Sequence, residues 1–150
     1  MDAPAFSTCR KRLLNEATIH KHLILSPLEY NAEKRLQWTL QIPGPKGSPY
    51  QDQNYFLEIA YDSSYPFSAP YLRFATPIFH PNIHPSGRMS NLMIECWSPL
   101  LTVQKLYDDA QKLLAKPLKE FPYNEEADEL WNTNRMEFQR KVAEVYSGST

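Results

Sequence analysis

The stretch Leu36-Gln37-Trp38-Thr39-Leu40-Gln41-Ile42 alternates apolar and polar side chains without a break. A two-residue period marks a strand with one face buried and the other wet. The next residues, Pro43-Gly44-Pro45-Lys46-Gly47-Ser48-Pro49, cannot extend that strand and predict a rigid turn. Tyr55, Leu57 and Ile59 then resume the alternation. Tyr65-Pro66 and Ala69-Pro70 bracket a stiff loop, after which Leu72 and Phe74 share one face of a shorter strand. With residues 23–30 as a weaker first strand, the pattern predicts an antiparallel meander, because the connections are too short for parallel crossovers.

Helical spacing flanks this strand region on both sides. Phe6, Cys9, Leu13 and Ala17 line one face of a helix expected over residues 7–22, with Ser7 or Thr8 as its N-cap. Lys11, Asn15 and His22 fall on the other face, and Arg10, Lys11 and Arg12 make the first turns basic. Residues 79–101 are irregular and rich in Pro, Asn, Ser and His, and long structureless segments of this kind are often functional. Beyond them Val103, Leu106, Tyr107, Ala110, Leu113 and Leu114 form an i, i+3, i+4, i+7 stripe behind a candidate cap at Thr102. Asn124, followed by Glu125 and Glu126, suits the start of another helix with Ala127, Leu130 and Trp131 on its apolar face. Phe138, Val142 and Val145 mark a last one. Helix, strands, long loop, helices is an α+β order with segregated elements, expected as a single domain over residues 1–150.

Composition narrows the function classes. The 150 residues are 42% hydrophobic and 22% charged, an ordinary globular balance. A formal net charge of −1 argues against nucleic acid as the main partner, since phosphate binding calls for a basic excess. Cys9 and Cys96 show neither metal spacing nor a disulfide framework. No apolar run approaches the ~20 residues that span a bilayer, and residues 1–8 lack the apolar core of a signal peptide. The expectation is a cytoplasmic or nuclear protein with no membrane span, no metal site and no cofactor.

Four motifs, in order, resemble the ubiquitin-conjugating enzyme (E2) family over nearly the whole chain. Gly44-Pro45-Lys46-Gly47-Ser48-Pro49-Tyr50 is similar to the family's turn between its first two core strands. Tyr65-Pro66-Phe67-Ser68-Ala69-Pro70 resembles its Pro-rich loop, and Phe79-His80-Pro81-Asn82-Ile83 its His-Pro-Asn signature. Trp97-Ser98-Pro99-Leu100-Leu101-Thr102-Val103 resembles the loop before its second major helix. The resemblance implies an N-terminal helix, a four-stranded antiparallel sheet and C-terminal helices. The implied activity is carriage of ubiquitin or a ubiquitin-like modifier as a thioester on one cysteine, followed by transfer to a lysine amine. A thiolate suits both steps, as nucleophile and then as leaving group.

In the family that cysteine lies ten residues beyond the signature histidine, and counting from His80 lands on Ser90. A serine hydroxyl is far less acidic than a thiol, whose pKa is ~8.5. No Ser-His-Asp arrangement is evident to activate it, although His84 is near in sequence. Asn91 and Leu92 also depart from the family's Leu and Asp, and the stretch from Ser90 to Trp97 is one residue shorter than the commonest pattern. Phe121, with Glu120 beside it, stands where the family often has an acid that gates the incoming lysine. By resemblance, Asn82 is either the oxyanion donor or a brace for the active-site loop, and His80 is a structural hydrogen-bonding residue. Cys96, six residues past Ser90, is out of register for the nucleophile.

Partner surfaces follow from the same resemblance. Arg10, Lys11 and Arg12 are expected to face the activating enzyme (E1). Phe67, Ser98, Pro99 and Leu100 are expected to face a ligase (E3) or a partner E2, with Leu100 bulkier than the small residue common there. Two readings of the chain stay open at this point. One is a natural E2 variant without thioester chemistry that works as a binding partner. The other is an active E2 whose position 90 carries a Cys-to-Ser substitution.

Overall fold

The computed structural model describes residues 6–89 and 97–148. Helix α1 (Ser7–Ile19) leads into four strands, β1 (Glu29–Tyr30), β2 (Leu36–Pro43), β3 (Asn54–Tyr61) and β4 (Tyr71–Phe74). Helices α2 (Val103–Ala115), α3 (Glu125–Thr133) and α4 (Arg135–Ser147) follow. The strands form one antiparallel sheet in the order β1-β2-β3-β4, the expected meander.

Period-2 patterning sets the centre of the sheet. Leu36, Trp38, Leu40 and Ile42 of β2 are all buried, and so are their same-face partners Tyr61, Ile59, Leu57 and Tyr55 of β3. A slip of one residue between the strands would turn one of the two sets out to solvent, so the register is strongly fixed. The opposite face carries Gln37, Thr39, Gln41 and Glu58, none of them buried. Cys9 and Leu13 of α1, and Val103, Leu106, Ala110 and Leu114 of α2, join the same core cluster. Phe138 and Val142 bring α4 onto it.

Helix ends differ from the sequence expectation in instructive ways. Helix α1 starts one residue earlier than a Ser7 cap would place it and two earlier than a Thr8 cap, with Phe6 at the N-cap and no side-chain capping bond. It stops at Ile19 rather than His22, where the backbone of His20 leaves helical geometry. Thr102 does sit at the N-cap of α2, yet its hydroxyl makes no capping bond. The Val103 N–H instead donates to Glu16 Oε1 at 2.8 Å, so a carboxylate on α1 serves the start of α2. Asn124 caps α3 as expected by accepting from the Ala127 N–H, and Asn134 does the same for α4 from Glu137. The anticipated strand over residues 23–30 shrinks to Glu29–Tyr30 plus an isolated Ile24–Leu40 bridge.

Two glycines separate conformational strain from steric clash. Gly47 has φ +85° and open space where a Cβ would stand, whereas at Gly87 (φ +96°) a Cβ would lie 2.1 Å from the Phe74 carbonyl oxygen. Gly87 is held there because its own carbonyl accepts from the Phe74 N–H at 2.8 Å, docking residues 84–89 onto β4. Gly47→Ala should cost about 1 kcal/mol, from the left-handed backbone alone. Gly87→Ala should cost well above that, at least about 2 kcal/mol. Urea unfolding of the two variants side by side measures the difference, and equal midpoints would contradict it.

Candidate functional site

Residues 79–89 form a loop anchored from below. The Tyr50 hydroxyl donates to the Phe79 carbonyl at 2.5 Å, and the Tyr50 ring stacks on His80 with centroids 5.7 Å apart. His80 is fully buried. Its Nδ1 accepts from the Asn82 N–H at 3.0 Å, which leaves the proton on Nε2, and Nε2 donates to the Leu113 carbonyl at 2.8 Å. The imidazole therefore ties the loop to α2 as a neutral ring. Burial pushes its pKa down from 6.5 to about 4.

Asn82, also fully buried, ties the same loop to the segment after α2. Its Nδ2 lies 3.1 Å from the Leu118 carbonyl oxygen, 2.9 Å from that of Glu120 and 3.2 Å from that of Phe121. Its Oδ1 accepts from the Leu118 N–H at 2.9 Å. An amide has two N–H donors, and here both are shared among three carbonyls. The Pro81 carbonyl adds two more clamps, from the N–H groups of Tyr123 (2.7 Å) and Asn124 (3.1 Å). Phe121, at the far end of this clamp, takes a left-handed backbone (φ +58°) with its ring partly exposed. For an aromatic residue that conformation is unfavourable and persists only because its surroundings hold it.

His84 sits above the clamp, edge-on to Tyr123 with centroids 5.5 Å apart. Its Nδ1 is occupied by Ser86, whose N–H lies at 3.0 Å and Oγ at 2.8 Å. Ser90, Asn91, Leu92 and Cys96 lie outside the described residues.

A second group of expected residues gathers at the junction of α1, the Pro-rich loop and the start of α2. Glu16, which sequence reasoning misses because it looks like one more charge on an amphipathic helix, is 3% exposed. Its carboxylate accepts from the Tyr65 hydroxyl (2.6 Å), the Val103 N–H (2.8 Å) and Arg12 Nε (3.0 Å). Arg12 is thus half-buried, and its Nη2 also donates to the Leu101 carbonyl at 2.9 Å. Lys11 is exposed and Arg10 half-exposed. Trp97 Nε1 donates to the Pro66 carbonyl at 2.9 Å, joining the two loops. Ser98 folds its own turn through bonds from Leu100 and Leu101, next to an exposed Pro99. Phe67 is 79% exposed and Leu100 88%, which with Met136 of α4 (86%) are the large apolar side chains left furthest in water among the described residues.

The family model for the ubiquitin-conjugating enzyme matches residues 12–146. The chain belongs to the ubiquitin-conjugating enzyme family. It is 35% identical over 129 residues to the Arabidopsis thaliana protein "Probable ubiquitin-conjugating enzyme E2 31", covering 85% of this chain and 83% of that relative. The family's fold of N-terminal helix, four-stranded antiparallel sheet and C-terminal helices is the one described above. Members of this family work in modifier conjugation, in company with ubiquitin, an activating enzyme and ligases. No described helix is long and apolar enough to cross a membrane. Among the described residues no group of three His, Cys, Asp or Glu side chains could hold a metal ion.

The neutral, buried His80 makes stability depend on pH. Unfolded, the imidazole binds a proton near pH 6.5; folded, only near pH 4. Between those values the unfolded state holds more protons, so stability is full above pH 6.5 and falls as pH drops toward 4. At ~1.4 kcal/mol per pK unit the loss is on the order of 3 kcal/mol. Urea unfolding between pH 7.5 and 4.5 should show a pH slope that His80→Gln flattens by up to about one proton. An unchanged slope in His80→Gln would contradict this.

Proposed function

We propose that the chain is a non-catalytic ubiquitin-conjugating enzyme variant that acts in a modifier-conjugation pathway by binding partners. The observation that carries this reading is Ser90, ten residues after His80, where the family places its thioester cysteine. A serine oxyester would need a far stronger base to form and would be a poor donor to an amine. The altered neighbours Asn91 and Leu92 and the shortened stretch to Trp97 support a position that has drifted.

Such a variant keeps its partner surfaces. Arg10 and Lys11, beside the half-buried Arg12, form the face offered to an activating enzyme. Phe67, Ser98, Pro99 and Leu100 form the face offered to a ligase or to a partner ubiquitin-conjugating enzyme, in the cytoplasm or the nucleus. Exposed aromatic and aliphatic side chains at such a junction suit protein contact. Asn82 acts here as the brace between the two loops, since its amide is spent on residues 118–121.

A second reading has its own support. The His80 and Asn82 clamps and the exposed Phe67 are what an active member needs, and they suit an active enzyme in which Ser90 replaces a cysteine. Incubating the chain and its Ser90→Cys variant with activating enzyme, ATP and ubiquitin separates the two. The binding-protein reading expects no reductant-sensitive adduct on either. An adduct on Ser90→Cys alone would favour the second reading, and one on the unaltered chain would point to Cys96 and overturn both.

A further inference from the structure

Four hydroxyl residues in the chain are followed directly by proline: Ser26-Pro27, Ser48-Pro49, Thr76-Pro77 and Ser98-Pro99. Proline fixes φ, has no N–H and keeps the residue before it out of the helical region. Each dipeptide therefore sets an extended hydroxyl residue ahead of a rigid one. A protein-kinase groove that accepts proline directly after the acceptor can take this shape. By sequence the four are alike; the fold separates them.

Three of the four hydroxyls are committed to the architecture. Thr76 is buried, and its Oγ1 accepts from the Phe56 N–H of β3 at 3.0 Å. Ser48 Oγ donates to the Pro45 carbonyl at 2.7 Å and accepts from the Tyr50 N–H at 3.2 Å. A phosphate on Ser48 would delete that donor and disturb the turn leading to the fully buried Tyr50. Ser26 is pinned to β2 from both sides. The Leu25 N–H donates to the Thr39 carbonyl at 2.8 Å, and the Thr39 N–H donates to Ser26 Oγ at 3.0 Å. Drawing Ser26 into a kinase groove would strip both bonds from the sheet.

Ser98 differs on each count. Among the described residues its Oγ makes one hydrogen bond, accepting from the Leu100 N–H at 3.3 Å. An ester oxygen keeps an acceptor there, and no donated bond is lost. The turn is local, closed by the Leu101 N–H on the Ser98 carbonyl at 2.9 Å. Pro99 and Leu100 are both exposed, so the residues a kinase would read after the acceptor face solvent. Exposed turn bonds of this kind open more readily than strand pairing over a core.

We propose that Ser98 is a phosphorylation site for a proline-directed serine/threonine kinase. The γ-phosphoryl group of ATP passes to Ser98 Oγ, the hydroxyl proton leaves to the base of the kinase, and ADP is released. The product carries about −1.5 to −2 charges at pH 7. Trp97 Nε1, bonded to the Pro66 carbonyl, sets Ser98 beside the loop of Phe67, and Leu100 lies two residues on. The new charge therefore enters the junction that exposes these apolar side chains, where covering it with an apolar partner surface is costly. That consequence rests on the partner reading of Phe67 and Leu100. The phosphorylation itself does not, so its failure leaves that reading intact.

The test incubates the folded full chain with ATP, magnesium and a recombinant kinase of the mitogen-activated class, and maps phosphate by mass spectrometry. Phosphate is expected on Ser98. Ser98→Ala should cut incorporation about tenfold or more, because the acceptor hydroxyl is gone, and Ser98→Thr should retain it. Ser26→Ala and Ser48→Ala should each change it less than about twofold, since neither hydroxyl is offered by the folded chain. Synthetic peptides spanning each of the four dipeptides should all accept phosphate, because only the fold sets Ser98 apart. No phosphate on the folded chain, phosphate mainly on Ser26, Ser48 or Thr76, or undiminished incorporation in Ser98→Ala would overturn the proposal. So would a Ser98 peptide that is the only one phosphorylated, since the choice would then lie in local sequence. In the phosphorylated chain, NMR shifts at the Phe67 amide as well as that of Leu100 are expected, and an unmoved Phe67 would overturn the charge's entry into their junction.

Discussion

One buried carboxylate organises the junction of α1, the Pro-rich loop and the start of α2. A carboxylate removed from water is costly unless every lone pair finds a donor. Glu16 meets that demand only when three separate segments are in place: Arg12 one turn back on α1, the hydroxyl of Tyr65 in the Pro-rich loop and the N–H of Val103 at the start of α2. None of the three can drift without leaving charge or donor stranded. Arg12 extends the knot to the Leu101 carbonyl, and Trp97 closes the loops on each other through Pro66. The exposed Phe67 and Leu100 ride on this knot, so their presentation is set by interactions that lie beneath the surface.

Residues 79–89 are held by a different device. His80 and Asn82 use every polar atom of their side chains on backbone groups of residues 82, 113, 118, 120 and 121. Nothing in this clamp needs a thiol nearby. The clamp draws only on backbone groups of described residues, which makes the proposed binding without modifier carriage physically coherent. The same independence explains why the intact clamp is equally at home in an active enzyme.

Much of the fold is legible in residue patterns, for a local reason. Burial on β2 and α2 repeats with the period of the backbone, so Leu36, Trp38, Leu40 and Ile42, or Val103, Leu106 and Ala110, declare themselves. Asn124 does so too, because a cap acts on residues three positions away. What stays hidden is set by partners far along the chain. Glu16 lies 49 residues from Tyr65 and 87 from Val103, and by its neighbours alone it reads as one more surface charge. Thr102 looks like a self-sufficient cap because a carboxylate arriving from another helix leaves no local trace. The first strand is shorter than its apolar content suggests, since Leu23, Ile24 and Leu28 pack partly against the core without forming a ladder. The His-Pro-Asn segment is recognisable by resemblance, but the six backbone groups that its His80 and Asn82 side chains serve are not.

If Glu16 holds the junction beneath Phe67 and Leu100 together as one unit, independently of residue 90, the loops it joins must loosen together when it is removed. Backbone hydrogen exchange resolved by residue, in the unaltered chain, in Glu16→Ala and in Ser90→Cys, reads this out. Glu16→Ala should speed exchange at Val103, Phe67 and Leu101 together, while Ser90→Cys should leave all three protected. Unchanged protection of Val103 in Glu16→Ala, or loops that respond separately, would contradict it.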